Sequence, residues 1–446
     1  MSPAAVRGAI IGSHRSGVKG FGNLPLSISI PGKRLARLSF VDSAVKRLLL
    51  TILVASAANA TTLPGFHVQL LHGTSGFVTA LAADSQGTLY YSVKSGDIVR
   101  FGFPDAVVAH VPTLADGNCG LIGMALRDDH TAIVHYTLAL GHDVETYDVI
   151  SAIDLNSGVE TEIHRFACDK DFPERGVSSE HHGGNVALAP DGTIFVGIGD
   201  YGVGIIAQEP DWNGGKVWRI SPDGSVALFA HGFRNPFDLA WDATTQRLVM
   251  TDNGDKVDDE IDVVQQGDDC GWPTTAGNEP PVAGTRPPAY VFPVVVAPTG
   301  LAPLHGANPI LRRGYLLGSY VTKALYYVPN VYASPLPDPV AVIAGETDPV
   351  IDVTEAPDGT IYFATGYGIY KLNVPIRGDC NADGWVDAAD LGALEKLLAS
   401  GPRPMTTAQD APVRSSWGCD ANGDGVIDAR DLAVVAGMFR GRAVRH

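Results

Sequence analysis

One phrase recurs along this chain: a strand of small apolar residues, a turn of Asp-Gly type, and a second strand rich in aromatic or β-branched residues. It stands at 80–91 (ALAADSQGTLYY), 185–199 (NVALAPDGTIFVGIG), 237–251 (FDLAWDATTQRLVMT) and 351–365 (IDVTEAPDGTIYFAT). Weaker copies stand at 121–136 and 299–320. The turn chemistry is local, because an Asp side chain bonds backbone two residues on and Gly accepts a left-handed conformation. A β-sandwich also alternates its strands, but it needs no repeated turn phrase. Six copies, roughly 35–65 residues apart, predict an all-β, six-bladed β-propeller over 61–374. A ring of blades closes when both termini share one blade, and 66–71 with 368–372 are the expected partners.

Only 18% of the 446 residues are charged and 45% are hydrophobic, which excludes a disordered chain. The formal charge of −17 is hostile to phosphate backbones, so no nucleic-acid partner is expected. Residues 1–60 form a leader. Lys46 and Arg47 precede an apolar run at 48–57 and an Ala-Asn-Ala site at 58–60, the pattern of a secretory signal peptide. Cleavage is expected after Ala60, with a true start near Val45. The run is too short to span a membrane, so no transmembrane segment is expected in the mature chain. The leader is basic, and 61–446 alone carry a net −24. A secreted chain, periplasmic, extracellular or attached to the cell surface, can form disulfides. Of five cysteines, Cys380 and Cys419 lie at the starts of two repeats and are the favoured pair. Cys119 with Cys168 is a weaker pairing, which leaves Cys270 free.

The composition changes after Val374, and 375–446 form a second domain. Two twelve-residue loops, 379–390 and 420–431, place oxygen-bearing residues at positions 1, 3, 5, 9 and 12. These are Asp379, Asn381, Asp383, Asp387 and Asp390, then Asp420, Asn422, Asp424, Asp428 and Asp431. Position 7, Trp385 or Val426, contributes a backbone carbonyl, and Gly384 or Gly425 makes the sharp turn. This is EF-hand logic, an oxygen cage for Ca²⁺, with Asp in place of the final Glu. Each loop runs into an apolar-periodic helix. Two such repeats resemble a type I dockerin: a small α-helical domain with two EF-hand-like calcium loops and two Ca²⁺ ions. The resemblance implies a cohesin-like protein partner. The paired cysteines and the residues at loop positions 10 and 11 depart from the family pattern.

In the propeller, polar residues cluster where turns do not require them. The order is His181-His-Gly-Gly184, Pro190-Asp-Gly, Gly199-Asp200, Gly215-Lys-Val-Trp-Arg-Ile220, Arg234-Asn-Pro236, Asp259-Glu-Ile261 and Gly271-Trp-Pro273. On these motifs the chain resembles the glucose/sorbosone dehydrogenase family, whose members are quinoprotein sugar dehydrogenases using pyrroloquinoline quinone (PQQ) and calcium. The resemblance implies a sugar substrate and hydride transfer to the quinone. His181 would take the hydroxyl proton, with Asp200 orienting it. Arg234 and Asn235 would touch quinone or substrate oxygens, and carbonyls near Gly254 and Asp255 would hold calcium beside the quinone. The family's quinone-binding Lys falls at Val321, with Lys323 two residues on as its substitute. Asp255 and Cys270 replace the family's Pro and Tyr, and 349–353 (PVIDV) lacks the arginines that meet the quinone carboxylates. Two other readings stay open: a propeller that binds carbohydrate or protein without turnover, and a calcium-dependent lactonase or other hydrolase using the acids at 252–260.

Overall fold

The computed structural model describes residues 61–63, 65–140, 145–168, 180–383, 385–399, 401, 403–404, 417–424 and 426–440. The leader, with its expected signal peptide, lies outside the described residues, as do both loop glycines Gly384 and Gly425. Six antiparallel blades follow one another, over 78–110, 121–167, 186–231, 236–291, 298–344 and 350–373. The sixth has three strands of its own, Val350–Glu355, Ile361–Thr365 and Gly368–Asn373. His67–Gly73 supplies its fourth by pairing with Gly368–Asn373. The ring is therefore closed by the early strand the sequence had marked for it. Thr61–Thr62 add a short extra edge to blade five.

Inner strands are buried on both faces, as in Leu89–Val93, Ile194–Ile198 and Tyr315–Ser319, so they read as continuous apolar runs. The outermost strand of blade two, Glu160–Ala167, is largely open to solvent. Burying each Val, Leu or Ile contributes about 1.5–3 kcal/mol, so this packing between blades dominates the stability. Phe363 is fully buried, and Phe363→Ala should cost about 3–5 kcal/mol.

The repeated phrase acts at two places. Its turn is held by Asp side chains: Asp84 Oδ1 accepts from the Gln86 and Thr88 amides, Asp191 Oδ1 from Thr193, and Asp358 Oδ1 from Thr360. Its first strand reaches across blades. Asn185 Oδ1 accepts from Met124 N at 2.8 Å, Asp238 Oδ2 from Leu301 N at 2.5 Å, and Asp352 Oδ2 from Leu81 N at 2.6 Å. In the fifth copy a longer segment, 304–314, replaces the tight turn.

At the C-terminal end, α1 (Ala388–Leu398) and α2 (Ala429–Arg440) follow the two loops. Both start alike. Asp387 caps α1 by accepting from Ala389 N, while Asp390 reaches back to Asp387 N. Asp428 and Asp431 repeat the pattern on α2. Asp390 and Asp431 therefore close their loops and cap their helices at once. Cys380 and Cys419 form a disulfide. The segment between the repeats does more than connect them. Trp417 packs edge-on against Phe66 (5.4 Å between ring centroids) and Tyr327 (5.7 Å), joining a core cluster of the propeller. Arg312, from the long loop of blade five, donates to Gly423 O at 3.0 Å.

Candidate active site

The glycines of the motifs explain why the site lies where blades three and four meet. A Cβ on Gly183 would meet Gly197 O at 2.1 Å, and one on Gly184 would meet Phe237 O at 1.8 Å. At Gly199 it would strike His181 O at 2.3 Å. Backbone passes too close here for any side chain. His181 and Tyr201 take positive φ angles of 51° and 50°, a conformation unusual for residues other than Gly.

That turn presents His181 to Asp200, with Nδ1 and Oδ1 2.6 Å apart. Asp200 is 1% exposed and accepts twice more, from Gly202 N (2.8 Å) and from Trp272 Nε1 (2.9 Å). The Gly-Trp-Pro motif is thus the far anchor of the His–Asp pair. Because Asp200 accepts the Nδ1 proton, Nε2 is left as the basic nitrogen. Arg234 donates to Asn253 O at 3.0 Å and lies 5.9 Å from the Trp272 ring centroid. The amides of Arg234 and Asn235 both bond Asp252, at 3.0 and 2.6 Å. Asn235 is 9% exposed, and its Oδ1 has no partner.

His181 and Asn235 face a cavity of about 500 Å³, with Asn118, Asn253 and Lys94 as further polar lining. Phe77, Tyr320 and Tyr367 are its aromatic walls; Tyr320 and Tyr367 are half exposed, and Tyr367 meets Phe77 edge-on. A site of this size, with aromatic walls and a few convergent polar groups, suits a small-molecule ligand. The orphaned Asn235 Oδ1 is a ready acceptor for a hydroxyl such as a sugar's. Among the described residues Lys94 is the only Lys or Arg lining the cavity; its Nζ donates to Gly117 O, and it comes from the opposite side of the ring to blade four. Ile351 lines the cavity at the stretch where the family's arginines are missing.

Three sequence expectations are not brought together here, the first being Arg234, which donates to Asn253 O and does not line the cavity. Lys323 is not among the lining residues. It sits at φ 52°, in the turn after Tyr315–Ser319, and donates to Thr347 O at 2.6 Å. The alternation that would put it on the face of Val321 does not continue through a turn. Gly254 and Asp255 also stand outside the lining; the Asp255 carboxylate is exposed beside Lys256. Lys216 of the Gly-Lys motif is 1% exposed and donates to Ile206 O and Gly214 O, so its duty is to hold the 204–214 segment. Cys119 and Cys168 are buried and not bonded to each other, so the weaker disulfide expected from the sequence is absent. Cys270 is likewise unbonded. Lys94, Tyr320 and Tyr367 were missed by the sequence reading, since each stands beside a tight turn with no motif around it.

The acids at 252–260 divide by role. Asp259 anchors backbone, accepting from Gly254, Val296 and Ala297. Asp252, Glu260 and Asp262 instead converge, buried, with one oxygen of each within 4.8 Å of the others, and Asp262 Oδ2 has no partner. Burial raises all three carboxyls. Asp252 is pushed up to about 6 and Glu260 to about 10, the latter with further repulsion from Asp262 and Asp252. An all-oxygen trio with an orphaned atom fits a hard cation such as Ca²⁺.

Residues 77–369 match the family model described as Glucose / Sorbosone dehydrogenase, and 377–439 match the Dockerin type I domain. Quinoprotein glucose dehydrogenase B of Acinetobacter calcoaceticus is 27% identical over 204 residues, which is 36% of this chain and 41% of that protein. The chain spans about half the length of the curated relatives it matches, 41–58%. Among solved structures, a glucose dehydrogenase superposes with a TM-score of 0.61 at 20% identity, covering 68% of this chain and 99% of its own. The PQQ-bound aldose sugar dehydrogenase of Streptomyces coelicolor gives 0.58 at 23% identity, covering 70% and 100%. The structural likenesses establish the fold.

Proposed function

From the premise that this chain belongs to the Glucose / Sorbosone dehydrogenase family, with a dockerin type I domain behind its propeller, we propose that it is a secreted PQQ- and calcium-dependent sugar dehydrogenase. The observation that carries this reading is the 2.6 Å His181–Asp200 pair opening on a cavity walled by aromatics and amides. When bound, the quinone would accept the hydride from the sugar carbon. His181 Nε2 takes the hydroxyl proton, and Asp200 steadies the imidazolium that results. Asn235 Oδ1 accepts from a sugar hydroxyl, and Arg234 fixes the Asn253 carbonyl beside it. Lys94 takes over part of the carboxylate recognition that blade six lacks. Asp252, Glu260 and Asp262 would hold a calcium ion, which would relieve their mutual repulsion beside the site.

The further boundaries are a leader over 1–60, a propeller over 61–374 and a dockerin-like domain over 375–446, which docks a cohesin-like partner through its calcium loops. No helix among the described residues is long and apolar enough to cross a membrane. The test is to reconstitute the chain with PQQ and Ca²⁺ and follow dye reduction with a panel of aldoses. Turnover that disappears in His181→Ala supports the enzyme. Sugar binding without any quinone binding at micromolar PQQ replaces it with a non-catalytic binding propeller.

A further inference from the structure

Behind His181 lies a second cluster with no part in that chemistry. Asp148, His135, His182 and Cys168 converge from blade two and the entry to blade three, the first three fully buried and Cys168 6% exposed. Asp148 Oδ1 is 3.0 Å from His182 Nδ1, Asp148 Oδ2 is 3.5 Å from Cys168 Sγ, and Sγ is 3.9 Å from Nδ1. Around a four-coordinate zinc with bonds of about 2.0–2.3 Å, neighbouring ligand atoms stand about 3.3–3.7 Å apart. Taken one ligand atom per residue, Asp148, Cys168 and His182 lie within 4.8 Å of one another, somewhat wider than that cage, and His135 approaches the trio from the Asp148 side.

His135 supplies an independent observation. Its Nδ1 is 2.8 Å from Gly184 O, and a carbonyl only accepts, so Nδ1 carries the proton. Nε2 then presents a lone pair. It is buried without a partner and sits 3.7 Å from Asp148 Oδ1. A lone pair facing a carboxylate, away from water, calls for a cation between them. A histidine that donates its other nitrogen to a backbone carbonyl is the usual posture of a metal ligand.

We propose that Asp148, Cys168 and His182, with His135 drawn in as the fourth ligand, form a closed site for one divalent transition ion of the zinc class. Mixed sulfur, nitrogen and oxygen donors select such an ion, whereas the all-oxygen trio in blade four selects calcium. Binding expels the Cys168 thiol proton and the proton shared at His182 Nδ1 to solvent, and no electrons move. The ion is structural. His182 follows His181 in the chain, and Tyr201, which follows Asp200, donates to Asp148 Oδ2 at 2.7 Å. It therefore ties down both strained residues of the turn that carries the His–Asp pair.

The test uses the untagged full chain, stripped by chelator and held in excess Ca²⁺, then loaded with Zn²⁺ or Co²⁺ and counted by elemental analysis. One tightly held ion per chain is expected, with a thiolate-to-cobalt charge-transfer band for Co²⁺. Cys168→Ser should abolish that band, and His135→Gln should weaken binding at least about tenfold, with the β-sheet circular dichroism unchanged. If either variant fails to fold, the cobalt spectrum of the wild-type chain decides alone. Folded protein that retains neither ion, cobalt bound without the thiolate band, or a Cys119–Cys168 disulfide found by peptide mapping would overturn the site.

Discussion

The two acidic regions of this molecule handle negative charge in opposite ways. In the C-terminal loops the carboxylates bond amides within their own twelve residues, and several are exposed; Asp383 accepts from Trp385 N, and Asp424 from Val426 N. In the propeller the acids are buried and bond distant backbone, as Asp352 does with Leu81 across 271 residues. The loops can bring their oxygens around an ion only at the cost of mutual repulsion, so their order depends on metal. The propeller acids are already held by the ring, so there burial raises the cost of keeping them ionised. Local order and global order thus ask different things of the same side chain.

The largest expected effect follows from that contrast. Chelating Ca²⁺ should melt the helices after the two loops while the propeller stays folded, seen as lost helical circular dichroism below an unchanged β-sheet thermal transition. Simultaneous melting of both regions would break the comparison. Next, His181→Ala should lower kcat by about 10²–10⁴-fold in reconstituted protein with little change in stability, because the turn around it is set by glycines and not by the imidazole.

A pH experiment addresses the buried acids. Burial pushes Asp238 up to about 7, offset in part by its bonds from the Leu301 and Leu239 amides. A raised carboxyl means the folded state binds more protons than the unfolded one between the ordinary carboxylate range and about pH 7. Stability should therefore fall as pH rises through that window, by up to about 1.4 kcal/mol per unit. Urea unfolding at saturating Ca²⁺ should show this slope, and Asp238→Asn should flatten it. The smallest effect concerns Arg430, whose guanidinium bonds Asp424 (2.8 Å) and Asp428 (2.6 Å), two of the expected ligand positions of the second loop. Arg430→Ala removes this competitor and should raise Ca²⁺ affinity by less than about tenfold, as calorimetry would show.

How much was legible in the sequence follows the same division. The dockerin loops were legible as a family match because their chemistry is written within twelve positions. The blades were legible because the Asp-Gly turn is local, except in copy five, where 304–314 takes its place and meets Gly423 through Arg312. In the site, the close approaches at Gly183, Gly184 and Gly199 gave the motif its form. Lys94, Tyr320 and Tyr367 enter only when the ring closes, from blades one, five and six, and no local pattern announces that. Lys323 shows the converse: strand parity carried a reading into a turn where parity has no meaning. Lys216, inside the Gly-Lys motif, is spent on the buried carbonyls of Ile206 and Gly214. The two buried histidine contacts of Asp148 had no sequence signal beyond a second His beside the first.

The most direct test of the central claim is an anaerobic single turnover. The PQQ- and Ca²⁺-loaded chain is mixed with an aldose carrying either hydrogen or deuterium at the anomeric carbon, and quinone absorbance is followed. The account predicts bleaching that slows with deuterium and disappears in His181→Ala, while that variant still binds PQQ. Bleaching at the wild-type rate in His181→Ala, or none in the wild-type chain with PQQ bound, would contradict it.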